Sequence, residues 1–429
     1  MKIRIRKTNV ALFCILFLFI FAPPIVPNIH YILAAVGAGC VLINHNFYLK
    51  LFGISAMKVW CKATVGLIFY ILLITLGNII YGDIVQTSHY ISLYNRYLSV
   101  VIIIIPVSLI IIGYCIQKNV SCEKIIEIFI TVGLAQGLMD LNAYFVPKIR
   151  NVFLWFLVNF SDSNLYSNAW HLKRRVFGLA YCLTDEFGWG MGILSGIALI
   201  YGIEKNKKYI IYSLIIVLGG LINSRTTLII YILAPMVILI FYITKRRGKK
   251  FVKYVYIAGF IWAMLVVAFK KIINQSSMSY QWILSGINDL VNILFGKSQS
   301  AVSTDFSSKL FADTSLELPD LLRTIIGTGH SRYQASGYNH TDCGYINDIW
   351  FVGILGAFFL YSVIIFMVWK IYQNTTSDLI KMLSIFLSAS FFVFNIKAGA
   401  ICYNVGPAAF FSLLFVLDNY VNGKVVRRR

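Results

Sequence analysis

Charge is scarce in this chain. Only 13% of its 429 residues are Asp, Glu, Lys or Arg, about half the share of a soluble globular domain. Acidic residues are the scarcer kind, 17 against 38 Lys and Arg. So few charges cannot cover a folded chain of this length in water, which excludes a soluble fold. The eight cysteines form no CxxC pair, so neither a zinc ribbon nor a dithiol redox motif is encoded. Most of them, such as Cys14, Cys40 and Cys115, stand in apolar runs and read as small hydrophobes. Alternating apolar and polar segments of about ten residues are also missing, which excludes a transmembrane β-barrel.

What is present is apolar, 59% of the chain. It comes in blocks of about 18–22 residues, enough to cross about 30 Å of hydrocarbon as helix. Hydrocarbon offers backbone N–H and C=O groups no partner, so such blocks must be helical. The expected fold is an all-α polytopic membrane protein of about 12 transmembrane helices, with residues 1–429 forming one integral membrane domain. Spans are expected near 8–28, 30–47, 63–80, 97–116, 125–146, 187–203, 209–223, 226–244, 254–271, 345–369, 379–395 and 398–417. The first block follows a basic start and resembles a signal peptide. Its apolar core continues through Ala22, Pro23 and Pro24 to Ile29, and further spans follow, so it reads as a retained first helix.

The formal charge of +21 invites a nucleic-acid reading. The basic residues instead punctuate the apolar blocks and build no basic domain, so no nucleic-acid partner is expected. With the N-terminus inside, most of them fall in the short segments 1–7, 48–62, 117–124, 204–208, 245–253, 370–378 and 418–429, as the positive-inside rule requires. Both termini are then cytoplasmic. Two long segments face outward. Residues 147–186 begin with Pro147 and a Trp/Phe-rich stretch, Val152 to Phe160, suited to the membrane interface. Residues 272–344, between the ninth and tenth spans, contain the amphipathic pieces Tyr280–Phe295 and Leu316–Ile326. A segment that long is expected to fold into short helices over the outer mouth. Inner loops are minimal, so chemistry is expected on the outer side.

Several outer residues break the charge pattern. Arg174 and Arg175 lie in HLKRRVFG, His171–Gly178, and a guanidinium fork matches phosphate oxygens bidentately. Headgroup anchoring is the plainer account of them. Asp185 and Glu186 follow, and helix capping accounts for both. Arg225 sits in GGLINSRTT, Gly219–Thr227, a tight hairpin with no hydrophilic loop to solvate it. Buried arginines in such places face partners or a cavity, although one at the rim can snorkel. The densest cluster is GTGHSRY, Gly327–Tyr333, followed by YNHTDCGY, Tyr338–Tyr345. It offers Arg332 as a cation and His340 or Asp342 as a general base, although Asp342 also suits a helix cap. His330, His340 and Asp342 form only a loose metal set with unspecific spacing, so no metal or cofactor is expected. Lys397, in FNIKAG, Phe394–Gly399, adds a cation at the last outer turn or anchors its helix end.

Four of these stretches together resemble the O-antigen and capsule polymerase family (Wzy-type), which shares an architecture with the O-antigen ligases. They are Arg175–Gly178 before a span, Asn223–Arg225 in a short outer hairpin, Gly327–Gly329 to Tyr345 running into Gly353–Gly356, and Phe394–Lys397. Their order, with a long outer loop before a late span, matches across most of the chain. The resemblance implies a GT-C-like membrane glycosyltransferase of the bacterial inner membrane, its active site facing the periplasm. Donor and acceptor would be glycans on undecaprenyl diphosphate. Arg174, Arg175, Arg225, Arg332 and Lys397 would hold diphosphate, and His340 or Asp342 would take the acceptor proton. A chain-length regulator is the protein partner implied. Ligases of this superfamily typically place His-Asn before the late helix, whereas this chain reads His340, Thr341, Asp342, which favours the polymerase. A flippase for lipid-linked glycans is the rival of another class. Transporters usually show internal repeats and midplane charges; this chain shows no convincing repeat and concentrates its ionisable residues outside.

Overall fold

The computed structural model describes residues 7–24, 26, 28–80, 93, 97–160, 175, 178–180, 185–245, 256, 259, 317–330, 332, 343–399 and 405–423. Among these, 87% are helical and none is in a strand. The helices are α1 (Lys7–Phe21), α2 (Ile29–Ile43), α3 (His45–Ile54), α4 (Ala56–Ile80), α5 (Val100–Gln117), α6 (Cys122–Phe145) and α7 (Pro147–Phe160). They continue with α8 (Asp185–Glu204), α9 (Lys208–Asn223), α10 (Thr226–Thr244), α11 (Leu321–Ile326), α12 (Gly344–Asn374), α13 (Asp378–Lys397) and α14 (Val405–Asn422). Among the described residues seven helices are long and apolar enough to cross a membrane, or eight if the bent pair α2–α3 is one span. The chain is thus a polytopic helical membrane protein.

The expected spans map closely onto these helices, with instructive differences. The 30–47 span ends early: Asn44 leaves helical backbone at φ −126°, ψ 46°, and α3 departs at 108° to α2. The helix expected from 63 starts at Ala56, whose N–H donates to Asp418 Oδ2 at 2.6 Å. Segment 48–62, expected as an inner loop, is therefore mostly helix. The 398–417 span begins at Val405. The 254–271 span and the Tyr280–Phe295 piece lie outside the described residues, and Leu316–Ile326 contributes only the short α11. As expected, the Trp/Phe-rich stretch forms a helix, α7, with Val152, Trp155 and Val158 exposed along it.

The centre of the bundle is α8, buried along almost its whole length. Its glycines make this possible, because helices without side chains at the crossing approach closely. A Cβ on Gly192 would stand 2.6 Å from the Ile230 Cβ, and one on Gly190 2.7 Å from Val405. Around α8 stand α6, α9, α10, α13 and α14. Trp189 of α8 stacks on Phe394 of α13 at 4.5 Å between centroids. In helix α1, Leu12, Leu16 and Phe19 are fully buried in the common core.

Cross-helix bonds sort the residues into two ends. At one end Lys205 pairs with Glu123, Lys245 with Asp378, Tyr242 with Glu204, and Tyr420 with the Val120 carbonyl. This is the lysine-rich end. At the other, Asn78 donates to the Thr328 carbonyl at 3.1 Å, and Asp185 meets Thr226 and Lys397. Of the candidate residues, Arg225 and Lys397 lie toward the second end.

Candidate functional site

Asp185 opens α8 and joins the helices that carry two of the expected cations. Its Oδ1 accepts the Thr226 hydroxyl at 3.0 Å, and Thr226 is the first residue of α10, directly after Arg225. Its Oδ2 lies 3.7 Å from Lys397 Nζ, the last residue of α13. Both members of that ion pair are partly exposed. The hairpin before α10 is dry around its arginine: Asn223, Ser224, Thr226 and Thr227 are all buried. A glycine crossing fixes it in place, since a Cβ on Gly219 would meet the Gly137 backbone at 2.6 Å.

That same crossing sets the end of α9 against a buried acid on α6. Asp140 is fully buried and accepts from Gln136 Nε2 at 3.0 Å, with Asn223 also facing its carboxylate. Gly178 lies against this group. A Cβ on Gly178 would meet Asp140 Oδ1 and Gln136 Nε2, so both side chains would have to move to admit one. Arg175 is anchored by its own carbonyl, which accepts from Arg150 Nη2 at 3.1 Å. Burial lowers the Arg150 pKa, yet an arginine keeps its charge at physiological pH. Arg174 lies outside the described residues.

The third part is a broken helix. Gly353, at φ 68° and ψ 177°, interrupts α12. In an unbroken helix the carbonyls of Trp350 and Phe351 would accept from residues four further on. Here the GTG stretch supplies the donors instead: Thr328 N–H and Oγ1 each bond the Trp350 carbonyl at 2.7 Å, and Gly329 N–H bonds the Phe351 carbonyl at 3.0 Å. Gly327, at φ 93°, packs against Gly353 without side chains between them. Arg332 then pins this loop. Its guanidinium is fully buried, donating to the Glu317 carbonyl at 3.2 Å and pairing with Glu317 Oε2 at 3.0 Å, while Trp350 Nε1 bonds the same carbonyl. Arg332 was expected to hold diphosphate. A buried guanidinium on a half-exposed carboxylate holds the loop together.

His340 and Asp342 lie outside the described residues. The residues flanking their loop are described. On one side Arg332 lies against Glu317; on the other Gly344 abuts Asn395 and the Ala398 carbonyl, next to Lys397. The first part of α12 is locked to α13 by a buried polar cluster. Tyr361 Oη donates to Asp348 Oδ2 at 2.7 Å, and Asn395 Nδ2 donates to that oxygen at 3.1 Å and to Tyr361 Oη at 2.8 Å.

The structure thus brings Lys397 and Thr226, the neighbour of Arg225, to one carboxylate, and ties the Arg175 backbone to Arg150. Arg332 is paired with Glu317. Three acids were missed or undervalued in the sequence: Asp140 and Asp348, single acids diluted in apolar spans, and Asp185, whose capping role hid its long-range partners. An ionisable residue inside a span is itself a signal of function, and it could have flagged the first two. Among the described residues no group of three His, Cys, Asp or Glu side chains could hold a metal ion. The chain matches no protein-family model, no curated protein and no solved structure.

Proposed function

We propose that the protein is an O-antigen polymerase of the bacterial inner membrane. In this reading it is a GT-C-like glycosyltransferase of about 12 spans that joins glycan repeat units carried on undecaprenyl diphosphate. The observation that carries the reading is that Lys397 pairs with Asp185 while Arg225 stands directly before Thr226, which bonds the same carboxylate, away from the lysine-rich end. By the positive-inside rule the lysine-rich end is cytoplasmic, and both termini with it. The cations then face the periplasm, where a lipid-linked diphosphate sugar presents its headgroup.

The acceptor hydroxyl of a new repeat unit attacks the anomeric carbon of the growing glycan. A C–O bond forms, the anomeric C–O–P bond breaks, and undecaprenyl diphosphate leaves with the electron pair. Charge grows on the diphosphate as it leaves, and fixed cations at that point lower the barrier. Arg175, Arg225 and Lys397 are assigned this task. His340 or Asp342 is assigned the acceptor proton. The donor is activated by its lipid, so this scheme calls on neither nucleotide nor metal. A chain-length regulator is the protein partner that fits such an enzyme.

The test is deletion of the gene in its native host and complementation with wild type, Arg175→Ala, Arg225→Ala, His340→Ala or Asp342→Ala, with expression checked. Core lipopolysaccharide bearing a single repeat, with no ladder, identifies a polymerase, because transport and ligation still work. Core with no repeat at all sinks the reading. Lipid-linked polymer accumulating outside would then identify a ligase, and repeat units trapped inside a flippase.

A further inference from the structure

Asp185 is the odd group in a site read as binding an anion, because a fixed carboxylate there opposes the ligand. Its geometry divides it into two halves. Oδ1 is held by Thr226 at 3.0 Å, which fixes the carboxylate to the α8–α10 crossing. Oδ2 holds Lys397 only loosely, at 3.7 Å, with 24% of the lysine side chain and 29% of the aspartate exposed. Partly exposed pairs of this kind are weak and easily exchanged. Lysine carries a point charge on a flexible stem, so the ammonium can leave one anion for another without backbone movement. The carboxylate cannot follow it.

We propose that Asp185 is a resident counter-anion for Lys397, a positioning and specificity-determining residue that an incoming diphosphate must displace; this rests on the diphosphate reading of the site. With the site empty, the carboxylate keeps the ammonium aimed into it. A diphosphate, with more than one negative charge, offsets the lost pair and the repulsion of Asp185. A phosphodiester headgroup of an ordinary phospholipid, with a single charge, does not. The surrounding bilayer presents such headgroups in vast excess, so the carboxylate excludes them while admitting the diphosphate. After transfer, recapture of Lys397 by Asp185 loosens the departing lipid diphosphate.

The test is the affinity of the full-length purified protein, in zwitterionic nanodiscs, for farnesyl diphosphate. A short-chain phosphatidylglycerol serves as the singly charged competitor. Asp185→Asn keeps an acceptor for Thr226 and removes the charge. It is expected to bind farnesyl diphosphate about two- to fivefold tighter and to become sensitive to the phosphatidylglycerol. Lys397→Ala is expected to bind more weakly, and the double variant to lose the gain. Thermal unfolding confirms that each variant is folded; Asp185→Ser replaces Asp185→Asn if the latter is not. Unchanged or weaker binding in a folded charge-removed variant overturns the counter-anion role while leaving the diphosphate site standing. A wild-type protein with no affinity for farnesyl diphosphate overturns the diphosphate reading, and the counter-anion role with it.

Discussion

Replacing Gly353 by alanine tests how the outer loop and the late helix are joined. At φ 68°, ψ 177° the residue occupies backbone territory that is essentially reserved for glycine. Forcing an L-residue there costs about 1–3 kcal/mol in strain alone. The added Cβ would also strike the Ile325 carbonyl and lie 2.5 Å from Gly327 N. These are backbone atoms, so no rotamer change relieves the clash. If α12 straightens instead, Thr328 and Gly329 lose their bonds to Trp350 and Phe351, at about 0.5–1.5 kcal/mol net for each bond. Either route costs about 1–4 kcal/mol, expected as a fall in melting temperature on the order of a few °C in detergent. Gly66→Ala is the control. No atom lies within 4 Å of a Cβ there, and alanine favours helix by about 1 kcal/mol, so its melting temperature should equal or exceed wild type. If Gly353→Ala melts with wild type while Gly66→Ala behaves as stated, the broken-helix account is wrong.

Three further outcomes follow from the same contacts. Tyr361→Phe removes a donor from the buried Asp348 carboxylate and should cost about 1–3 kcal/mol in chemical or thermal unfolding. Gly178→Ala should weaken complementation of the ladder by displacing the Asp140 and Gln136 side chains. A cycle with Asp140→Ala should be non-additive, because the two positions share one space; additive losses would place the fault elsewhere. Lys245→Ala breaks an ion pair with Asp378 that is partly open to solvent. It should change stability by about 1 kcal/mol or less, read as a melting temperature close to wild type.

The order and extent of the membrane helices were legible in the sequence because each is a block of apolar residues, and hydrocarbon permits little else. The expected 226–244 span coincides with α10. Local backbone events were harder to read. Nothing in the apolar periodicity signals that α2 ends at Asn44, nor that α12 breaks at Gly353, since glycines such as Gly66 and Gly77 sit within α4 without breaking it. The GTG stretch and Gly353–Gly356 were picked out separately; that one repairs the other is a fact of tertiary contact. The same holds for the charges. Arg225 and Lys397 stand out as isolated cations, and Asp185 links the helix end that carries Lys397 to the helix that begins directly after Arg225. Asp185 looked like a cap, because its partners Thr226 and Lys397 are far along the chain. Arg332 looked available, and the Glu317 that occupies it could not be assigned from spacing.

The central claim is glycan polymerisation on a lipid diphosphate, and the most direct measurement needs only the purified protein. Full-length protein in nanodiscs would be supplied with the host's undecaprenyl-diphosphate-linked repeat unit, and the products followed by mass spectrometry. The account predicts lipid-linked glycans of two, three and more repeats, with one undecaprenyl diphosphate released for each linkage, and no such products from Arg225→Ala. Repeat units that remain single in the presence of folded wild-type protein, or that cross the bilayer without being joined, would contradict it.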